Sequence, residues 1–549
     1  MQYLKNYFFK KMSLQLLCLA GCGLIAAGCS AQGNTATRIS SGGKLHPLQA
    51  IMDIRHYTIA LDVDIAAKMI NGYAEIDLVL TQPADTLLID LINVYTVTAI
   101  TVNNSKAGFS QRDHKIFIVS GSGFKAGKQK VKITYGGTPP VAVNPPWQGG
   151  FTWKKDSLGN PWVVINCQFE GGKIYFPCKD HPSDEPNEGV DLMITVPKGL
   201  VVAGPGLLQG VTNAKNNKQT WHWKTNYTIS NYCVLFNIAK YKVVTRDYKT
   251  INGNTVPIHF YVLEEHAVYA QRVLDMKERD TRILEKYFGE YPWVKEKIGI
   301  ADVSNYGMEH QTMISYGGEN YKFQKVGGQD YSDNLFHEYA HEWWANKVTN
   351  KDWAHMWIQE GITTYAEALA FRELAGEEGY HRHIFSNRRS IRNAKPLVQG
   401  DEVNTLETYT GDIYSKGSFF MHTLRYILGD SIFFPTLKTL ATDPKYTYSN
   451  FVTSADVEQL FSSRSQTDLK PLFDFYLRTT ELLDITITQT AYDTYSIKIK
   501  NFFMPLPIDI NTDMGTKRMI IDKAGLTIKS TVPPSVDAKG YYLKKVQIQ

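Results

Sequence analysis

The sequence predicts a multidomain α+β protein: an all-β unit at residues 49–247, a mainly helical unit at 248–483, and a small β-sandwich at 484–549. Three observations carry that division. In the first unit apolar residues alternate, as in Tyr57-Thr58-Ile59-Ala60-Leu61-Asp62-Val63 and Val131-Lys132-Ile133-Thr134-Tyr135, which is the period of a half-buried strand. Asn71-Gly72 reads as a turn between two such runs. In the second unit the period lengthens to helical over residues 267–289, 331–347, 356–374 and 415–428. After Leu483 short alternating runs such as Tyr495-Ser496-Ile497-Lys498-Ile499 return between Pro-rich turns, enough for a small sandwich.

Composition excludes several classes. With 43% hydrophobic residues in 549, the chain has material for several cores and is neither mostly disordered nor fibrous. Its 59 basic and 54 acidic side chains nearly balance, and no basic run lies outside the N-terminus, so no nucleic-acid partner is expected.

Residues 1–28 form a targeting segment. Lys5, Lys10 and Lys11 precede an apolar stretch at 14–28 that is too short to span a bilayer comfortably. It ends in Ala26-Ala27-Gly28-Cys29, which resembles a bacterial lipobox with Cys29 as the lipidated residue. Leu19-Ala20-Gly21-Cys22 is a second box, and Cys29 is preferred because Cys22 would leave apolar residues on the mature chain. The expected location is therefore outside the cytoplasm, lipid-anchored to a bacterial membrane on its periplasmic side or at the cell surface. Residues 29–48, rich in Ser, Gly and Thr, read as a flexible tether. The remaining cysteines, Cys167, Cys178 and Cys233, permit one disulfide but form no metal-type pattern.

The chemistry lies in Phe336-His337-Glu338-Tyr339-Ala340-His341-Glu342-Trp343-Trp344. On a helix, His337 and His341 share a face and can offer two imidazole nitrogens to one cation, for which zinc is well suited. An accidental HExxH is expected roughly 0.02 times in such a chain, so the match carries weight. Ser332 and Asp333 stand where an N-cap would begin that helix. A catalytic zinc needs a third protein ligand, a His or a carboxylate from a neighbouring element. Glu360, 19 positions after His341, opens a second helical pattern within Trp357-Ile358-Gln359-Glu360-Gly361.

Together these residues resemble the gluzincin aminopeptidases of peptidase family M1. The resemblance implies a saddle-like N-terminal β-domain and a thermolysin-like catalytic domain. It also implies one zinc per chain held by His337, His341 and Glu360, with Glu338 as general base. Tyr306-Gly307-Met308-Glu309-His310 stands in place of the family's G-A-M-E-N signature, with Tyr306 and His310 substituted. By carry-over Glu309 binds the substrate α-ammonium, Gly307 and Met308 line the substrate, and Gln168 helps Glu309. Tyr414-Ser415-Lys416-Gly417 looks like the family's Y-x-K-G, whose Tyr donates to the developing oxyanion. His310 and His355 are read as lying behind the ligands or on the substrate side, and Trp343-Trp344 as core. Glu367, seven positions after Glu360 on the same helical face, can take the second ring N–H of a ligand histidine. The stretch after Leu483 is too short for a sandwich plus the large helical domain of many family members, so three domains and a more open cleft are expected. The implied partners are peptides with a free N-terminus. An endopeptidase or other zinc hydrolase, and a catalytically silent binding protein, are the alternatives.

Replacing the lipobox cysteine tests the leader. Cys29→Ser is expected to move the protein from membranes to the soluble exported fraction without changing specific activity. Continued sedimentation with membranes would point to Cys22 or to a retained helix.

Overall fold

Along Met52–Asp64 the side chains of Ile54, Tyr57, Ile59, Leu61 and Val63 are buried, and one bulge between Ile54 and His56 keeps the apolar set on the inside. In the computed structural model, which describes residues 38–317 and 321–549, this strand runs through the middle of an 8-stranded sheet. It pairs antiparallel with Met69–Leu80 and parallel with Val190–Pro197. A 3-stranded sheet containing Ala84–Asp90 and a 4-stranded sheet containing Pro161–Asn166 belong to the same β-rich unit. The second of these matters for function, because the chain leaves it directly into Gln168.

Two local expectations fail here. Asn71-Gly72 is not a turn: the chain reverses at residues 65–68, with Lys68 at φ 55, and Gly72 sits inside a strand where a Cβ would strike the Ala60 carbonyl. The glycine serves close approach of two strands instead. The end of the expected tether is docked rather than flexible. Ser41 is buried, its N–H donates to the Phe169 carbonyl at 2.7 Å, and its own carbonyl accepts from Thr405 at 3.1 Å. Gly42, at φ 74, lies against the Trp353 ring, a position only glycine fills without strain.

The catalytic unit opens with a mixed 4-stranded sheet of Lys242–Lys249, Thr255–Val262, Ile298–Val303 and Ile314–Gly317. Its first strand crosses the expected boundary at residue 247. Helix Ala270–Phe288 packs beside it, with Val273, Leu274, Met276 and Leu284 buried, and stops at Gly289. The HExxH helix is Asp333–Ala340, and its N-cap Ser332 accepts from the Leu335 N–H at 3.4 Å. It ends well before residue 347, because Trp343 and Trp344 turn into the core, where both are fully buried. The next long helix, Met356–Arg388, is broken at Ala375 and Gly376, so its first part ends near the expected residue 374.

Helix Asp412–Leu428 lies against that first part. A Cβ on Gly361 would come within 2.7 Å of Gly417 Cα, and one on Gly417 within 2.8 Å of Gly361 Cα. The glycines of W-x-x-E-G and Y-x-K-G therefore face each other and let the two helices touch backbone to backbone. Beyond Leu483 a 4-stranded and a 3-stranded sheet form the C-terminal β-unit, with Ile485, Ile487, Ile497, Leu506 and Ile508 buried.

That crossing predicts a substitution effect. Gly417→Ala should cost about 1–3 kcal/mol of stability by overpacking and should lower activity as well, since Tyr414 lies one turn away. A thermal melt beside a turnover assay checks it, and an unchanged melting curve would contradict the contact.

Candidate active site

His337 and His341 emerge from the HExxH helix and its C-cap, and Glu360 from the helix packed against it. Their ligand-type atoms form a tight triangle: His337 Nε2 to His341 Nε2 3.1 Å, His341 Nε2 to Glu360 Oε2 3.3 Å, and His337 Nε2 to Glu360 Oε2 3.4 Å. Tetrahedral zinc with bonds of about 2.0–2.1 Å separates its ligands by about 3.3–3.4 Å, so the triangle fits the ion. Glu360 Oε2 is buried without a hydrogen-bond donor, an orphan that a cation would satisfy. Although burial works against ionisation, the two imidazoles in their protonated form hold the Glu360 carboxyl down at about 2, so it is an anion for any cation that replaces those protons.

Each imidazole is held from behind. His337 Nδ1 donates to Glu367 Oε1 at 2.6 Å, and Glu367 Oε2 lies 3.0 Å from His383 Nε2. His341 Nδ1 lies 2.7 Å from the Trp344 carbonyl and 3.1 Å from Thr363 Oγ1. With Nδ1 as donor in both rings, each Nε2 keeps its lone pair for a metal. The early end of the HExxH helix now has a reason. A continuing helix would consume the Trp344 carbonyl in its own ladder, whereas a chain that turns, with Ala345 at φ 123, offers it to His341.

Glu338 projects from the same helix, where Asn334 Nδ2 donates to its Oε1 at 2.8 Å. Burial, opposed by His337 and reinforced by Glu309, pushes its carboxyl up to about 8; a dication on the triangle would act in the opposite sense. Gly307 makes room for it: a Cβ there would sit 2.5 Å from Glu338 Cγ. Met308 is tied to Ser315 of the sheet edge by a two-way backbone bridge, which sets the position of Glu309. Glu309 is buried, and three donors meet its Oε1: Gln168 Nε2 at 2.5 Å, Tyr232 OH at 2.9 Å and Gln359 Nε2 at 2.9 Å. Carboxylate and imidazole atoms of Glu309, Glu338 and His341 lie within 4.8 Å of one another.

Tyr414 stands at the start of its helix with its ring 5.8 Å from that of His337. Burial, with Glu360 nearby, pushes its phenol well above the ordinary range, so it stays protonated. His310 and His355 lie outside the triangle, bonded through Nδ1 to Ser315 Oγ and Ser454 Oγ, each at 3.0 Å. Cys167, Cys178 and Cys233 are buried free thiols, so the disulfide that their number allowed does not form.

The sequence matches the Peptidase family M1 domain over residues 273–476 and the Peptidase M1 N-terminal domain over residues 54–233, together more than half of the chain. The chain belongs to peptidase family M1. It is 26% identical to Aminopeptidase N of Lactococcus lactis over 63% of this chain and 42% of that protein. It is 23% identical to mitochondrial Aminopeptidase 2 of Saccharomyces cerevisiae over 77% of this chain and 46% of that protein. The chain thus spans about half the length of the curated relatives it matches. In fold it resembles a mutant M1 zinc metallopeptidase from Deinococcus radiodurans bound to a Tyr-Ser-Ala substrate, with a TM-score of 0.65 at 21% identity, covering 80% of this chain and 96% of that one.

Several residues of this M1 site were not legible beforehand. Gln359 adjoins Glu360 inside W-x-x-E-G and could have been flagged by that position. Tyr232, His383 and Tyr409, whose Oη lies 2.6 Å from that of Tyr414, carry no local signal. Asn334, by contrast, stands one helical turn before Glu338 on the same helix and could have been flagged by that spacing. The pair behind His337 generates a test. Glu367→Ala should weaken zinc affinity about 10–100-fold, read by competition against a metal buffer. Superimposable titrations of wild type and mutant would remove Glu367 from the ligand support.

Proposed function

We propose that this chain is a zinc-dependent aminopeptidase that removes N-terminal residues from peptides, with one zinc per chain. The observation that carries the reading is a buried carboxylate, Glu309, braced by Gln168, Tyr232 and Gln359 within 4.8 Å of Glu338 and the ligand His341. A carboxylate held there attracts a free α-ammonium and sets the first peptide bond against the metal triangle. The second cluster of acidic and imidazole groups shares His341 with the first, which supports a single ion. The Lactococcus and yeast relatives are named aminopeptidases, which supports the same activity.

Zinc held by His337, His341 and Glu360 would supply Lewis acidity, lowering the pKa of a water and polarising the scissile carbonyl. Glu338 takes a proton from the attacking water and returns it to the leaving amine. Asn334 occupies one oxygen of that carboxylate and so directs the other. Tyr414, protonated and half-buried, donates to the oxyanion as it forms. Glu309 fixes the register. Export and lipid anchoring at Cys29 belong to the same proposal; they rest on the leader sequence alone, and residue 29 lies outside the described residues.

Free and N-acetylated aminoacyl-fluorophore substrates, each with and without a chelator, test the reading. Turnover of the free form alone, lost with chelator and restored by zinc, is expected; equal turnover of the acetylated form would exclude an aminopeptidase. Glu338→Gln should retain zinc by elemental analysis while losing nearly all turnover. Substantial activity in a folded, zinc-loaded Glu338→Gln protein would remove Glu338 from the base role.

A further inference from the structure

A tyrosine hydroxyl carries one proton and two lone pairs, so it can donate in only one direction at a time. For Tyr414 to aim its proton at an oxyanion, another group must hold its oxygen from the far side. Tyr409 Oη lies 2.6 Å from Tyr414 Oη, and Trp147 Nε1 lies 3.1 Å from Tyr409 Oη. An indole N–H only donates, so the Tyr409 oxygen accepts from Trp147. The Tyr409 proton then has the Tyr414 oxygen as its acceptor. The reverse polarity would give Tyr409 two donors, leave its own proton without a partner in the chain of hydroxyls, and turn the Tyr414 proton away from the metal triangle.

We infer that Tyr409 and Trp147 are positioning residues that set the direction of the Tyr414 proton through the chain Trp147 Nε1–H to Tyr409 O–H to Tyr414 O–H. The inference rests on the proposed role of Tyr414 as oxyanion donor. Each link polarises the next in a partly desolvated site, which strengthens the final O–H as a donor. The rings are held as well as the hydroxyls. Phe169 packs edge-on against Tyr409 at 4.6 Å, Trp147 sits 5.6 Å from Tyr306, and Tyr414 lies along the His337 imidazole. Trp147 precedes strand Gly150–Lys155 of the N-terminal β-rich unit, so that unit acts on the oxyanion side of the site as well as on the amine side through Gln168.

The two outer links can be removed without removing a ring. Tyr409→Phe is expected to lower kcat about tenfold, the scale of one lost hydrogen bond, with KM changed less than twofold. Trp147→Phe should act in the same direction and more weakly. In a Tyr414→Phe background neither change should lower kcat further, whereas a merely structural role would add to that loss. Thermal melts within a degree or two of wild type exclude misfolding, and should Tyr409→Phe fail to fold, Trp147→Phe with its double mutant carries the test. Unchanged kcat in both single variants, or additive losses in the double mutants, would overturn the relay while leaving Tyr414 in place. A silent Tyr414→Phe would instead overturn the oxyanion role itself, and the relay with it.

Discussion

Two imidazole lone pairs and a carboxylate oxygen brought within 3.1–3.4 Å of each other repel unless a cation lies between them, and the fold has to hold them there. Three features of the helical unit serve that constraint. The hydrogen bonds to Nδ1 of both rings prevent the imidazoles from rotating away. The HExxH helix gives up its last turns so that a backbone carbonyl becomes one of those partners. The glycine contact between the Glu360 and Tyr414 helices brings a third element close enough for its tyrosine to lie along a ligand ring.

A buried polar network around Glu342 lies behind the HExxH segment and keeps the turned chain in place. Glu342 is fully buried, with Trp293 Nε1 on one oxygen at 2.6 Å and the Thr312 N–H on the other at 2.9 Å. Burial pushes this carboxyl up to about 7 despite those donors. Asn346 reaches the same carboxylate at 3.3 Å and also donates to the Glu309 carbonyl at 2.8 Å. The segment that ends the HExxH helix is thereby linked to the backbone of Glu309, the residue proposed to bind the amine. A buried network of this kind couples its members, so loss of one leaves the others unsatisfied.

The N-terminal β-rich unit is part of the site rather than a support for it. Its contribution arrives through Gln168 and Tyr232, which share one oxygen of Glu309 with Gln359 of the catalytic helix. A site assembled from both units gives the Glu309 carboxylate donors that neither unit alone supplies. The aromatic side chains of Trp147 and Phe169 come from the same unit and meet Tyr409, the neighbour of Tyr414.

Much was readable because it depends on local periodicity. Helical spacing alone puts His337 and His341 on one face, and seven residues put Glu360 and Glu367 on another. Strand alternation separates Ile59 and Leu61 from their outward neighbours, and the family motifs point to Glu309, Gln168 and Tyr414. Where the helical pattern ran on to residue 347, local apolar spacing could not reveal that Trp343 and Trp344 belong to a core reached by turning. Nor could the spacing of Asn71-Gly72 reveal a strand contact in place of a turn, since the space that glycine fills is made by Ala60 of another strand. The amino-acid order by itself determined the ligand types, their helical register and the succession of β, helical and β units. Tertiary structure alone decided which buried donors meet Glu309, which carbonyl orients His341 and which hydroxyl backs Tyr414. The donors to Glu309 come from residues distant in sequence. Trp344 and Tyr409, by contrast, are near neighbours of His341 and Tyr414, and their approach depends on the chain leaving regular helix there, which local apolar spacing does not reveal.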